Sequence, residues 1–359
     1  MTKVKELDFK GTTIFCGLDV HKVSWRVNIR DTELELKDFT QPADPNLEHR
    51  HLIRNYPGAK YKVGYEAGFC GFGIQRELSA LGIECVLLNA ADIPKGDKDR
   101  RQKNDKRDAR SISQELSTKR DLRSLYVPSP AWEHARTLVR NRQQQIIDSI
   151  RCKCRIWHFL YFSSLPIPDK TETGQYWSRK FIKKLEDMDC GSAELKAALQ
   201  LKIQDHLHKR TLILESTRAI RKMYRQEAYW PLMQLILGIP GIGEVNAAII
   251  LFELQDILRF KTFDNLCSYV GLVPDTEDSG DTKRNKGVTH RRNTYLREAL
   301  VESSWMLVKK DPAMLMKYKD YCKRMHKNKA IIKIARHLLA RINFVLRKQT
   351  PYVSGLVAG

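Results

Sequence analysis

Four carboxylates occur at intervals that could bring them together in the folded chain. Asp19 ends an apolar run and Glu66 ends a second extended run, so both are predicted at the carboxyl ends of β-strands. Asp105 and Asp108 open a helical pattern, and residues three apart share a helix face. Hard cations such as Mg²⁺ prefer carboxylate oxygens, and two-metal sites serve phosphate chemistry. If the two strands are neighbours, the sequence predicts a Mg²⁺ site, with Mn²⁺ as the alternative ion, for cutting or joining nucleic acid.

A second candidate site is a serine in the polar segment 275–281, which we predict to be a loop. Ser279 precedes Gly280, which frees the backbone, and cations follow closely. Such a serine could attack a phosphodiester while the cations stabilise charge on the phosphoryl oxygens. The competing interpretation is an ordinary turn residue, because serine and glycine are common in turns. The cations that we predict to contact nucleic acid here are Lys283, Arg284, Arg291 and Arg292.

A glycine-rich turn within residues 237–247 has the spacing of a helix-hairpin-helix motif. Gly241 and Gly243 would let the backbone turn tightly and approach a phosphate, and the helix that follows would offer unpaired N–H groups at its positive end. Contacts of this kind hold the DNA backbone without reading its sequence. A purely structural turn is the competing interpretation.

The charge of the chain favours a polyanionic partner. The 359 residues carry a net charge of +21. Residues 283–348 contain 19 Lys and Arg against four acids, so most of the excess lies in the C-terminal part. The eight cysteines lack zinc-site spacing, and no apolar run approaches the roughly 20 residues of a membrane span. We therefore expect an intracellular, cytoplasmic protein without a membrane partner.

Hydrophobic patterns predict the elements that position Asp19 and Glu66. The predicted strands are 12–18, 24–30, 33–39, the strand that Glu66 ends, and 85–88. The predicted helices are 46–56, one that stops at Gly82, and the one that Asp105 opens. The order β-β-β-α-β-α-β-α is that of the RNase H-like fold, a mixed sheet with helices on its faces.

The composition changes after Pro128-Ser129-Pro130, and we predict three domains. These are 1–128, the carboxylate domain; 129–229, a long helical arm; and 230–359, a small domain with the serine, the hairpin motif and a basic tail. The predicted fold class is therefore α/β plus all-α: a mixed-sheet domain of RNase H type, a coiled-coil arm, and a small helical domain containing a helix-hairpin-helix. An ordinary helical bundle remains the alternative to the arm.

The motifs in this order resemble the DEDD-type transposases of the "one-ten" insertion-sequence family, the bridge-RNA-guided recombinases related to the pilin-gene invertase. The resemblance covers most of the chain in two blocks. The first block comprises residues 17–22, 65–67 and 104–109. The second block comprises residues 238–243, 260–261, 271–274, Ser279-Gly280 and Gly287.

The resemblance implies a RuvC-like first domain in which Asp19, Glu66, Asp105 and Asp108 bind Mg²⁺. It implies that Ser279 is the nucleophile of the last domain and forms a transient phosphoserine bond with DNA. It further implies donor and target double-stranded DNA, a structured guide RNA, and a homo-oligomer, a tetramer or dimer of dimers, whose active sites combine domains from different protomers. A bacterial or archaeal, nucleoid-associated location follows from the same resemblance.

Two other functions compete with the guided recombinase. A metal-only nuclease of the junction-resolvase type would use the four carboxylates alone and would not need Ser279. A non-catalytic nucleic-acid-binding protein would give no reason for Asp19 and Glu66 both to end strands. Any one of the carboxylates could also be a solvated surface charge. His21 and Lys22 beside Asp19 could tune the site or be exposed polar residues at a strand end, and we favour the second interpretation.

Overall fold

The structure is a computed structural model that describes residues 8–90, 93, 105–118, 122, 124–279, 282–289 and 291–353, with the backbone alone at 105, 275–279 and 282–286. The chain divides into two units, Met1–Val127 and Pro128–Gly359. The first boundary thus falls within one residue of the predicted end of the carboxylate domain. The further division at residue 229 stays a prediction.

The first unit is built on one five-stranded mixed sheet. Its strands are β1 Thr13–Val20, β2 Ser24–Arg30, β3 Glu35–Pro42, β4 Lys60–Glu66 and β5 Glu84–Leu88. Their order across the sheet is β3-β2-β1-β4-β5. The pairs β1–β4 and β4–β5 are parallel, and β1–β2 and β2–β3 are antiparallel. The strands that carry Asp19 and Glu66 are therefore neighbours, which was the condition for the predicted metal site.

Both faces of the sheet are covered because its central strands are apolar on both sides. The helices are α1 Pro45–Asn55, α2 Gly73–Ala80 and α3 Asp105–Thr118. Leu52 of α1 and Leu78 of α2 share a core with alternate residues of β1 such as Ile14. Phe15, on the other face of β1, packs in a second core with Ile112 of α3. This layered arrangement confirms the predicted α/β class and element order.

The start of β3 differs from the prediction for a local reason. Strand β2 spans the predicted residues, but β3 begins at Glu35 rather than Glu33. The carboxylate of Asp31 accepts hydrogen bonds from the backbone N–H groups of Glu33 and Leu34, each at 2.7 Å. An aspartate that bonds the backbone two and three residues on forms a turn, and this turn delays the strand.

The second unit is mainly helical. Its helices are α4 Pro130–Phe162, α5 Lys170–Thr173, α6 Arg179–Asp187, α7 Ala193–Tyr224, α8 Trp230–Leu237, α9 Glu244–Leu254, α10 Phe263–Val270, α11 Thr294–Lys310, α12 Pro312–Arg324 and α13 Lys327–Lys348, with a 3₁₀ turn at Ile257–Arg259. The two long helices, α4 and α7, lie within the predicted helical arm at 129–229.

Helices α4 and α7, here called the helical pair, pack against each other in opposite directions. Val139 near the start of α4 and Ile220 near the end of α7 belong to the main core of the unit. Ile156, toward the end of α4, and Ile203, toward the start of α7, belong to a separate core at the other end of the pair. This packing makes a helical hairpin, whereas the supercoil of a true coiled coil stays a prediction.

The prediction of a loop at 275–281 is wrong over its first five residues. Residues Pro274–Ser279 form strand β6, which pairs antiparallel with β7, Thr282–Val288. The segment has no apolar alternation, which is why the sequence did not indicate a strand. The register sets Glu277 opposite Arg284 and Asp278 opposite Lys283, and such oppositely charged cross-strand positions favour pairing. The small C-terminal part is therefore helical with one β-hairpin.

Candidate active site

Asp19 and Glu66 come from neighbouring parallel strands at the same edge of the sheet. The β1–β4 register runs to the pair Leu18 and Tyr65, so the two carboxylates occupy the next positions along each strand. Residues in register on parallel strands carry their side chains on the same face. The side chain of Asp19 is 19% exposed, and Glu66 is half-buried. The two strands therefore present two partly shielded carboxylates side by side.

Helix α3 lies on that same face because β1 has a glycine there. Gly17 is two residues before Asp19, and a Cβ at Gly17 would lie 2.5 Å from the backbone nitrogen of Ser113 and closer still to the carbonyl of Ala109. Ser113 is anchored in turn, since its hydroxyl donates to Oδ1 of the buried Asn28 on β2 at 2.6 Å. Helix α3 is thus fixed next to β1 at Ala109 and Ser113, directly after the turn that contains Asp108.

The structure brings the four predicted ligands together only in part. Asp108 is half-buried and immediately precedes Ala109, the residue that contacts Gly17. The side chain of Asp105 lies outside the described residues. Within the described part of the chain, no three Asp, Glu, His or Cys side chains lie close enough to hold a metal ion. The donor chemistry fits a divalent cation, and the backbone places all four positions on two strand ends and one adjoining helix turn.

His21 contacts the candidate site, although the sequence favoured a plain exposed residue. Its Nε2 atom lies 3.2 Å from Oδ2 of Asp19, and its side chain is 45% exposed. The backbone N–H of His21 also donates to the carbonyl of Ser24, which closes the β1–β2 turn. A histidine two residues beyond a strand-end aspartate, just inside a tight turn, was the signal for this contact.

Ser279 lies at the end of the β6–β7 hairpin. It pairs with Thr282, the last described pair of the hairpin, and Gly280 and Asp281 lie outside the described residues. Lys283 and Arg284 follow on β7, while Arg291 and Arg292 are exposed beyond the strand. Ser279 belongs to the second unit and the four carboxylates to the first. The serine is therefore carried on a β-ribbon rather than on an irregular loop.

The two glycines of the turn before α9 have different surroundings. Gly241 has φ +92°, and a Cβ there would lie 2.5 Å from the backbone nitrogen of Leu307 on α11. Gly243 is exposed, with open space where a Cβ would be, and it precedes α9 without a side-chain cap in the described structure. Glu244 in the first turn of α9 is paired with Arg221 at 2.8 Å. Helix packing thus accounts for Gly241, and the exposed backbone lies at Gly243.

No helix among the described residues is long and apolar enough to cross a membrane. All eight cysteines, which lie within the described ranges, are free thiols.

Comparisons with known proteins match both parts of the chain. Residues 16–163 match the DEDD transposase model of the IS110 group, and residues 233–319 match the model described as Transposase IS116/IS110/IS902 family. A protein of Sinorhizobium fredii named "Putative transposase y4qE" is 27% identical over 301 residues, covering 81% of this chain and 71% of its own. The IS1533 transposase of Leptospira borgpetersenii is 23% identical over 70% of this chain and 72% of its own.

A 43.6 kDa protein of insertion element IS110 from Streptomyces coelicolor is 29% identical over 152 residues, 42% of this chain and 37% of its own. The first family model covers the sheet that carries Asp19 and Glu66, and the second covers the β6–β7 hairpin. The resemblance predicted from the motifs is confirmed: the chain belongs to the IS110 family of insertion-sequence transposases.

Proposed function

We propose that this transposase is an RNA-guided DNA recombinase that cuts and rejoins DNA through a divalent-metal carboxylate site and a covalent serine intermediate. The observation that carries the proposal is the position of Asp19 and Glu66 at the carboxyl ends of adjacent parallel strands, on the face covered by α3. A structural or purely binding role would give no reason to hold two carboxylates side by side there.

The metal site would draw on Asp19, Glu66, Asp105 and Asp108. Four clustered carboxylates repel one another and raise one another's pKa values, so a dication favours their approach. When bound, Mg²⁺ or Mn²⁺ would polarise the scissile phosphate and stabilise the charge that develops on its oxygens. The close contact between Gly17 and α3 supports this assignment because it holds the Asp108 turn near the strand that ends in Asp19.

Ser279 would supply the nucleophile. Its hydroxyl oxygen forms a bond to phosphorus, the bond from phosphorus to one deoxyribose oxygen breaks, and the serine proton ends on that oxygen as a free sugar hydroxyl. The phosphoserine ester retains the energy of the broken bond, so attack by the hydroxyl of another strand rejoins DNA without a high-energy cofactor. The position of Ser279 at the last described pair of the β6–β7 hairpin suits its presentation to a separate site.

The partners would be donor and target DNA and a structured guide RNA. The net charge of +15 between residues 283 and 348 is suited to several phosphate contacts. The exposed backbone at Gly243 suits a contact with a phosphate. As the family resemblance implies, we also propose an oligomer, a tetramer or dimer of dimers, in which domains of different protomers complete each active site.

The decisive experiment traps the reaction with denaturant and looks for DNA attached to the protein. We expect an adduct with the wild type in Mg²⁺, none with Ser279→Ala, and none with Asp19→Asn or Glu66→Gln. A matched control is Glu84→Gln. This change removes an exposed carboxylate at the amino end of β5, away from the strand ends that carry Asp19 and Glu66, and should leave the adduct unchanged.

The alternative functions give different results in the same assay. A metal-only nuclease would leave cut ends without an adduct, and its Ser279→Ala variant would stay active. A non-catalytic binding protein would leave the DNA intact in every case. Guidance by RNA fails as a proposal if the purified protein shows no preference for the RNA of its own element over unrelated RNA of the same length.

A further inference from the structure

The side chain of Arg297 forms hydrogen bonds to the backbone at both ends of the β6–β7 hairpin and so links the hairpin to α11 of the second unit. The Nη1 atom of Arg297, on α11, donates to the carbonyl of Gly271 at 2.9 Å and to that of Thr289 at 3.0 Å. Gly271 precedes β6 and Thr289 follows β7. The backbone N–H of Thr289 also donates to the carbonyl of Val273 at 3.1 Å, which closes the base of the hairpin. The backbone segments before β6 and after β7 are therefore held together by hydrogen bonds at the base of the hairpin.

The side chain of Asn293, just beyond the hairpin, forms a second set of hydrogen bonds. Its Oδ1 atom accepts from the backbone N–H of Leu296 and caps α11. Its Nδ2 atom donates to Oε2 of Glu253 at 2.8 Å and to the hydroxyl of Tyr269 at 3.2 Å. Its own N–H donates to the carbonyl of Tyr269 at 3.0 Å. One side chain thus joins the end of the hairpin to α9, α10 and α11.

The carboxylate of Glu253, which accepts the hydrogen bond from Asn293, is wholly buried. Glu253 has no exposed side-chain surface, and Arg140 of α4 binds both of its oxygens, Nε to Oε1 at 2.5 Å and Nη2 to Oε2 at 2.7 Å. A buried ion pair often adds little net stability, yet breaking one side of it is strongly unfavourable. Such a pair is suited to fixing one arrangement rather than to strengthening the fold.

We propose that Arg297 and the Arg140–Glu253–Asn293 network are positioning residues that set the direction of the β6–β7 hairpin and thereby the place of Ser279. A two-stranded hairpin is at best marginally stable by itself, so its direction must come from its base. The base here is held by bonds to buried or backbone partners on four helices. This inference rests on the proposed role of Ser279 and adds the residues that determine the position of Ser279.

A reciprocal swap tests the proposal. Asn293→Asp sets a second carboxylate against Glu253, and Glu253→Gln removes the charge that Arg140 holds. In the double variant, the amide introduced at position 253 can donate to the carboxylate introduced at position 293, so the hydrogen bond returns in the opposite direction. Because misplacement of a reacting group by about 1 Å can cost on the order of 100-fold, we expect each single variant to slow adduct formation at least tenfold at saturating DNA. The double variant should recover part of that loss, because the amide at position 253 restores the bond to position 293 but not the ion pair with Arg140, and DNA affinity should be unchanged throughout.

The control separates positioning from stability. Asp311 is another buried carboxylate of the same unit, bound by Arg341 at 2.8 Å and away from the hairpin base. Asp311→Asn should lower the stability of the unit without slowing adduct formation in folded protein. If Asp311→Asn slows the reaction as much as Glu253→Gln does, the effect is one of stability and the proposal is wrong.

Hydrogen exchange provides a readout that needs no catalysis. In the single variants and in Arg297→Gln, we expect faster exchange at the amides of Thr289 and Asn293 and along β6 and β7. The double variant should exchange at a rate between those of the Asn293→Asp variant and the wild type. Unchanged exchange and unchanged adduct rates in the folded single variants would overturn the inference. Absence of an adduct in the wild type itself would instead overturn the proposed function, and the exchange data would still decide whether this network holds the hairpin.

Discussion

The backbone of Ala109 lies directly on Gly17, closer than any side chain at that position would permit. This contact joins α3 to the central strand two residues before Asp19. It also fixes the helix turn that contains Asp108, since Asp108 and Ala109 are consecutive. The geometry of the candidate metal site therefore depends on a residue that has no functional group.

We expect Gly17→Ala to destabilise the first unit by about 2–3 kcal/mol, because backbone atoms of α3 cannot move aside as a flexible side chain could. Cleavage should fall more than stability alone explains, since α3 must shift away from β1. Denaturant unfolding and adduct assays would measure both effects. Gly73→Ala is the matched control, because no atom lies within 4 Å of its added Cβ; a cost as large there would refute the packing argument.

A buried carboxyl group should make the stability of the first unit depend on pH. Glu48 has no exposed surface, and burial raises its pKa to about 7, although the hydrogen bond from the Cys16 thiol and the nearby side-chain amide of Gln41 oppose the rise. The folded state therefore favours the neutral acid. Its contribution to stability is complete below the ordinary pKa of 4.5 and is lost as the pH rises to about 7.

Glu48→Gln keeps the size of the side chain and removes the titration. We expect the wild type to lose on the order of 2–3 kcal/mol between pH 4.5 and 7.5 that the variant retains. Chemical denaturation of the full chain at several pH values would measure the free energy of unfolding. Hydrogen exchange in β1 and α1 at the same pH values would show whether the change lies in the first unit. Parallel pH curves for the two proteins would show that Glu48 is ionised in the folded state.

The turn before α9 offers two glycines with opposite expectations. Gly241→Ala requires a side chain at φ +92° and against the backbone of Leu307, so we expect a loss of about 2–3 kcal/mol. Gly243→Ala meets open space and should change stability by less than about 0.5 kcal/mol. A Gly243→Ala protein that is stable but binds DNA more weakly would support the backbone contact. Unchanged DNA binding would make this turn purely structural.

Binding to the proposed guide RNA should weaken as salt rises, because each neutralised phosphate releases counterions. Arg292 is exposed beyond β7, and Arg292→Ala should lower the slope of log K against log salt by about 1. Arg54→Ala, at an exposed position of α1, is the control and should leave the slope unchanged. Equal slopes for all three proteins would remove Arg292 from the RNA-binding surface.

The sequence predicted those parts of the fold that leave a periodic pattern. Apolar runs located β1 and β4, and the acids at their ends were visible as candidate ligands before any pairing was known. The order of elements then limited the strand topology to a familiar one. What remained hidden was the close approach at Gly17, since a glycine in a strand can signal a bulge, a bend or a contact equally well.

The rest depends on contacts between distant residues. The hairpin that carries Ser279 has charged residues where a strand usually shows apolar alternation, so only its cross-strand pairing identifies it. Glu253 and Arg140 are 113 positions apart, and neither belongs to a motif. A single acid near the end of the apolar helix α9 was the one local sign that a buried partner must exist.

The helical pair has a mechanical consequence. At a rise of about 1.5 Å per residue, the 33 residues of α4 extend about 50 Å. Their first turns are embedded in the main core with Ala135 and Val139. Arg140 follows at once on the same helix and holds Glu253. Helix α4 therefore runs from the main core to Phe162 and contacts Glu253 through Arg140 close to its embedded end. A displacement of that end of α4 would move the guanidinium that binds Glu253, and with it the hydrogen bond from Glu253 to Asn293 at the base of the hairpin.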